Sequence, residues 1–151
     1  MAEAQAAQSR ELISFRVAEQ EYCVEITAVR EIRGWAPATP LPHAPDYVRG
    51  VINLRGAILP IVDMSARLGM AMAEPTSRHV IMVVWIEGQL VGLLVDAVCD
   101  IITVDEVSLQ DTPEVASATV QTFVRALLTI EDRMIGLIDL GAVLPALAAA
   151  A

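Results

Sequence analysis

Side chains suited to chemistry are few in this sequence and poorly grouped. The two histidines are His43, in a proline-rich stretch, and His79, just ahead of an apolar run. The two cysteines, Cys23 and Cys99, each lie inside an apolar segment. At these spacings they give neither a disulfide framework nor a metal-ligand set. Cys99 reads as a small core or rim residue rather than a reactive thiol. No G-x-G-x-x-G, phosphate-binding loop, G-x-S-x-G or H-E-x-x-H motif occurs. Glu25 and Glu31 read as solvated strand-face carboxylates rather than an acid–base pair, and Trp85, between Val84 and Ile86, as a packing residue. No residue nominates a reaction, so neither enzyme activity nor a cofactor or metal is expected.

Two groups are better suited to binding. In Asn53-Leu54-Arg55-Gly56, Gly56 fits a hairpin turn at positive φ. A rigid turn there presents the Arg55 guanidinium to a carboxylate on a partner, or leaves it simply solvated. The second group is Val29, Glu31 and Ile32. Period two puts Val29 and Glu31 on one strand face and Ile32 on the other. A valine beside a glutamate outside the core describes a contact surface, or alternation at a barrel rim.

The elements that would hold these groups are short strands. LISFRV, YCVEI, VINLRG, AILPIVDM, HVIMVVWI and LVGLLVDAV are β-branched runs bounded by turn residues. Pro37, Pro40, Pro42 and Pro45 crowd a loop, and SARLGMAMAEPTSR reads as a short helical turn followed by a linker. Residues 1–10 form an Ala- and Gln-rich arm, and 148–151 an alanine tail.

These strands repeat. An offset of 69 lays Ala28-Val29-Arg30-Glu31-Ile32 on Ala97-Val98-Cys99-Asp100-Ile101, with Gln20 on Gln89. An offset of 76 lays VRGVINLRGAILPIVDM, residues 48–64, on VRALLTIEDRMIGLIDL, residues 124–140, without a gap. The extra seven positions fit an expansion around SLQDTPEVAS. Two copies of one small β unit are expected, about 11–78 and 79–147, each of roughly five strands closed into a barrel. Asp63 and Asp139 end equivalent strands and are expected to cap short helices. The duplicate has Thr129-Ile130-Glu131-Asp132 where the first copy has Asn53-Leu54-Arg55-Gly56, so the fold itself does not demand Arg55.

Composition sets the outer bounds. A chain of 151 residues is long enough to bury about 70 % of its unfolded surface, which argues for a real core. Ten arginines, no lysine and nineteen acidic residues give a net charge of −9, which disfavours nucleic acid. Charges interrupt every apolar run short of the ~20 residues a membrane helix needs, and the first residues lack an apolar signal core. Cytosol is the expected compartment.

The sequence resembles the CheW-like family of chemotaxis adaptors over about residues 11–147. The resemblance rests on EYCVEITAVREIRGW, PDYVRGVINLRGAILPIVDM, LVGLLVDAVCDI and EDRMIGLIDL, with the NLRG-x-I-x-P-I-V-D run the most specific. The same domain type ends the CheA kinase and begins CheV proteins; with no kinase segment or receiver domain here, a free-standing adaptor fits.

The resemblance implies an all-β fold of two five-stranded, SH3-like β-barrels with short helices, related by a pseudo-two-fold axis. It implies two partners: the cytoplasmic tip of transmembrane chemoreceptors, and the regulatory domain of CheA. It assigns receptor binding to Val29, Glu31, Ile32, Asn53, Arg55 and Val98, and kinase binding to Arg49 and Gly50. For the last two, a tight strand start is the simpler reading. It implies no membrane insertion and leaves self-association in arrays open. The absence of lysine puts in doubt any contact that relatives make with one. Two other readings stay alive: an adaptor of another chemosensory pathway, such as twitching or gliding motility, and a small-ligand-binding β-barrel.

Overall fold

The computed structural model describes residues 9–71, 74–105, 109–111 and 118–143. Residues 1–8 of the arm, most of the SLQDTPEVAS expansion and the alanine tail lie outside them; Ser9 and Arg10, expected in the arm, instead open the first strand, where they pair with Asp105 and Val104. Among the described residues, ten strands and three short helices follow in chain order. The first part holds β1 (Ser9–Val17), β2 (Gln20–Glu25), a 3-10 turn (Ile26–Ala28), β3 (Val29–Gly34), β4 (Val48–Leu54), β5 (Ala57–Asp63) and α1 (Met64–Arg67). The second holds β6 (Val80–Ile86), β7 (Gln89–Val95), β8 (Ala97–Asp105), α2 (Ala118–Phe123), β9 (Val124–Ile130), β10 (Arg133–Ile138) and α3 (Leu140–Val143).

The strands form two five-stranded sheets, ordered β8-β1-β2-β10-β9 and β3-β6-β7-β5-β4. Under the two offsets, one order becomes the other. The match extends to register: Leu137 faces Cys23 in one parallel pair, and Ile61 faces Gly92 in the other. The bulge that pairs Val48 with Val62 but Gly50 with Ile61 recurs as Val124 with Ile138 and Ala126 with Leu137. Four hairpin turns recur as well. Ala18-Glu19, Arg55-Gly56, Glu87-Gly88 and Glu131-Asp132 all have both central residues at positive φ. That is the turn geometry whose twist matches the flanking strands.

One expectation is corrected here. The boundary near residue 78 does not separate the two units, because each sheet draws strands from both copies. The 3-10 turn Ile26–Ala28 carries the chain from one sheet into the other, and Asp96 carries it back between β7 and β8. A repeat identifies equivalent strands but not their partners. The hydrophobic pattern is the same whether the last three strands of a copy join its own first hairpin or the other copy's.

Strand exchange explains the continuous apolar runs. In β6, Ile81 and Val83 join Leu59, Ile61 and Leu94 in a cluster on one face of their sheet. Met82, Val84 and Ile86 face the other way, into a central cluster with Ile13, Phe15 and Val17 of β1. A third cluster holds Leu12, Cys23, Leu128, Ile135 and Leu137. Inner strands are thus covered on both faces and lose the alternation of a half-exposed strand. Each fully buried Leu, Ile or Phe contributes about 1.5–3 kcal/mol.

The two aspartates cap as expected. Asp63 Oδ1 accepts from Ser65 N at 3.0 Å and Ala66 N at 3.4 Å. Its counterpart Asp139 accepts from Gly141 N at 3.1 Å. Trp85 departs from expectation: it is 44 % exposed, with the Arg30 guanidinium 5.6 Å from its ring centre.

Candidate partner-binding site

The two sequence candidates meet in space. Arg55, at the tip of the β4–β5 hairpin, donates from Nη2 to Glu31 Oε1 on β3. β3 and β4 are the outer strands of their sheet, so this ion pair links its two ends, and β4 carries a further antiparallel bridge from Val51 to Thr39. Asn53 holds the turn, its Oδ1 accepting from Gly56 N at 2.9 Å. Arg55 sits at φ 50 and its side chain is 72 % exposed, so the hairpin presents the guanidinium to solvent. Arg33 Nη1 lies 3.8 Å from Glu31 Oε2. The hydrogen bond from Arg55, more than the surrounding charge, holds the Glu31 carboxyl below the usual glutamate range.

Apolar surface flanks the pair. Along β3 burial alternates, with Val29, Glu31 and Arg33 half-buried and Arg30 and Ile32 exposed. Ile32 is 45 % exposed and Ile58, opposite Asn53 in the β4–β5 register, is 66 % exposed. A groove of about 430 Å³ runs alongside, between Arg33 and Pro37 on one side and Val51, Asn53 and Ile58 on the other. Val98 occupies the position in β8 that Val29 occupies in β3: Val29 pairs with Val84, and Val98 with Phe15. Both valines pack against the central cluster, one from each sheet. Sequence reasoning missed Ile58 and Arg33. Nothing in AILPIVD tells which of Ile58 and Leu59 turns outward until the register with Asn53 is known.

Arg49 and Gly50 sit differently. Arg49 Nη1 is 2.9 Å from Oδ2 of the fully buried Asp63, with its guanidinium 5.6 Å from the Trp35 ring centre. Gly50 has φ +139, and a Cβ there would stand 2.2 Å from the Thr39 carbonyl oxygen. Both residues are explained by the strand start they build.

Burial, with the Glu21 charge second, pushes the Cys23 thiol up to about 12, and burial raises Cys99 too. Among the described residues no group of three His, Cys, Asp or Glu could hold a metal, and no helix is long and apolar enough to cross a membrane.

A family model described as "CheW-like domain" matches residues 11–148. The chain belongs to the CheW-like family. Among curated relatives, it is 64 % identical over 136 residues to the chemotaxis protein CheW of Rhizobium meliloti, covering 90 % of this chain and 88 % of that one. It is 33 % identical over 133 residues to the chemotaxis protein CheW of Bacillus subtilis, covering 88 % and 85 %. Among solved structures, the scaffolding protein TtCheW of Thermoanaerobacter tengcongensis superposes with a TM-score of 0.83 at 32 % identity, covering 90 % of this chain and 92 % of that one. The CheW-like fold thus accounts for the all-β architecture and its two five-stranded units.

Proposed function

We propose that this chain is a non-enzymatic chemotaxis adaptor, coupling transmembrane chemoreceptors to the CheA histidine kinase. The observation that carries the reading is the Glu31–Arg55 pair at the surface, built from β3 and the tip of the β4–β5 hairpin and flanked by Ile32 and Ile58. A helical receptor tip would lay apolar side chains on Val29, Ile32 and Val98. Asn53 would hold the turn while Arg55 and Glu31 set register through charge-assisted bonds. Arg49 and Gly50 support the kinase side by holding the start of β4 in place rather than by direct contact. A surface this small binds weakly, and recruitment into a cytoplasmic array multiplies the contact. Signal passes because the partners touch the adaptor differently in their on and off states.

The test is co-sedimentation with receptor-bearing membranes, with and without CheA. Arg55→Glu reverses the charge on the hairpin tip and sets it against Glu31. Membrane recruitment is expected to fall while CheA binding stays unchanged and the thermal melt drops by only a few degrees, the loss of one exposed ion pair. Wild-type recruitment of this variant defeats the assignment.

A further inference from the structure

Arg67, the last residue of α1, reaches across the molecule. Its Nε donates to the Val143 carbonyl at 2.7 Å and its Nη2 to the Ala142 carbonyl at 3.1 Å. The same guanidinium lies 4.2 Å from the Tyr47 ring centre and 4.7 Å from that of Phe123. The offset of 76 that lays Tyr47 on Phe123 also lays Arg67 on Val143. These two pairs of equivalent residues therefore meet where the copies face each other, and one arginine joins all four.

The arrangement needs an asymmetric sequence. Arginines from both copies would place two like charges at one point, and the second copy supplies valine instead. Lysine would not serve either, because only a planar guanidinium stacks on two rings while donating in parallel from its edge. The Tyr47 hydroxyl is buried without a hydrogen-bond partner among the described residues, so this position uses the ring. Tyr47, Phe123 and Val143 all belong to the central cluster or pack on it, as do Val29 and Val98.

We propose that Arg67 is a positioning residue that fixes the angle between the two sheets, and through it the spacing of Val29 and Val98. The link to the receptor rests on the function proposed above; the effect on sheet orientation does not. A receptor tip spanning both sheets meets a preset groove only while the clamp holds, whereas a partner bound to one sheet is indifferent to it.

The experiment measures amide residual dipolar couplings of the full chain, fitting each sheet separately, alongside co-sedimentation with receptor membranes. In Arg67→Met each sheet should fit its wild-type geometry while the angle between the two alignment frames shifts or averages. Half-saturation on receptor membranes should rise about tenfold. Arg67→Lys keeps the charge and stem but not the flat fork; it should shift in the same direction, and it carries the test if Arg67→Met does not fold. Frames that coincide as in wild type overturn the proposal, as does a shifted frame with unchanged receptor binding. Arg55→Glu, run in parallel, separates the two readings. If that variant also binds like wild type, the receptor surface is misassigned, and the couplings alone decide the role of Arg67.

Discussion

Replacing Asp63 with alanine removes both a helix cap and an ion pair, and its counterpart Asp139 supplies an internal control. Asp63 is fully buried, caps α1 through Ser65 N and Ala66 N, and holds Arg49 at 2.9 Å. Losing the cap costs about 1 kcal/mol. Losing the carboxylate takes a charge-assisted bond away from a guanidinium that is only 22 % exposed, for which about 3 kcal/mol is the low end of the usual range. The low end applies because Arg49 keeps the Trp35 ring. The sum, about 4 kcal/mol, corresponds in a domain of this size to roughly 8–16 °C in Tm. Asp139 accepts from Gly141 N and forms no ion pair among the described residues, although Arg125, the equivalent of Arg49, lines the same depression. Asp139→Ala should therefore cost only the cap, about 1 kcal/mol or roughly 2–4 °C. Urea and thermal denaturation of both variants, with a two-state check, make the comparison. Equal losses at the two sites would refute the reasoning, because sequence equivalence would then outweigh the ion pair that only one copy makes.

Other predictions follow from the same geometry. Glu31 should titrate below an ordinary glutamate in the native protein, and Arg55→Ala should move its midpoint back up, as read by carboxyl NMR shifts. A depressed native pKa means that the stabilisation is present above the unfolded value and fades as pH falls through the folded one. Gly50→Ala should destabilise by more than about 3 kcal/mol, since the Thr39 carbonyl is backbone and cannot swing aside; a melt within a degree or so of wild type would contradict the clash. Cys23, its thiol pushed up to about 12, should resist iodoacetamide at pH 8 until the chain unfolds. Rapid native alkylation at Cys23 would show that its burial is overstated.

Much of the molecule is legible from residue order. The strands of each copy, the four hairpins and both capping aspartates lie where the repeat places them, because turn chemistry and strand patterning are local. Gly56 shows the limit of that legibility. Its positive φ is readable from residue type, whereas the positive φ of Arg55, Glu87 and Glu131 comes from the twist of the hairpins they close. Trp85 was unreadable in another way. Three apolar neighbours in a row hide which face is covered when a strand is buried on both sides elsewhere along its length.

By itself, then, the sequence determined a duplicated all-β chain, and it singled out Glu31 and Arg55 as two separate candidates for binding. Tertiary structure decided how the copies combine. The exchange of the β1–β2 and β6–β7 hairpins between sheets, the meeting of Glu31 with Arg55, and the contact of Arg67 with Val143 join residues that are not neighbours along the chain. Periodicity reports which face of a strand is apolar, but not which distant strand will cover it. That choice is made by packing, where a second buried face for the β1–β2 and β6–β7 hairpins outweighs the simpler path of closing each copy on itself.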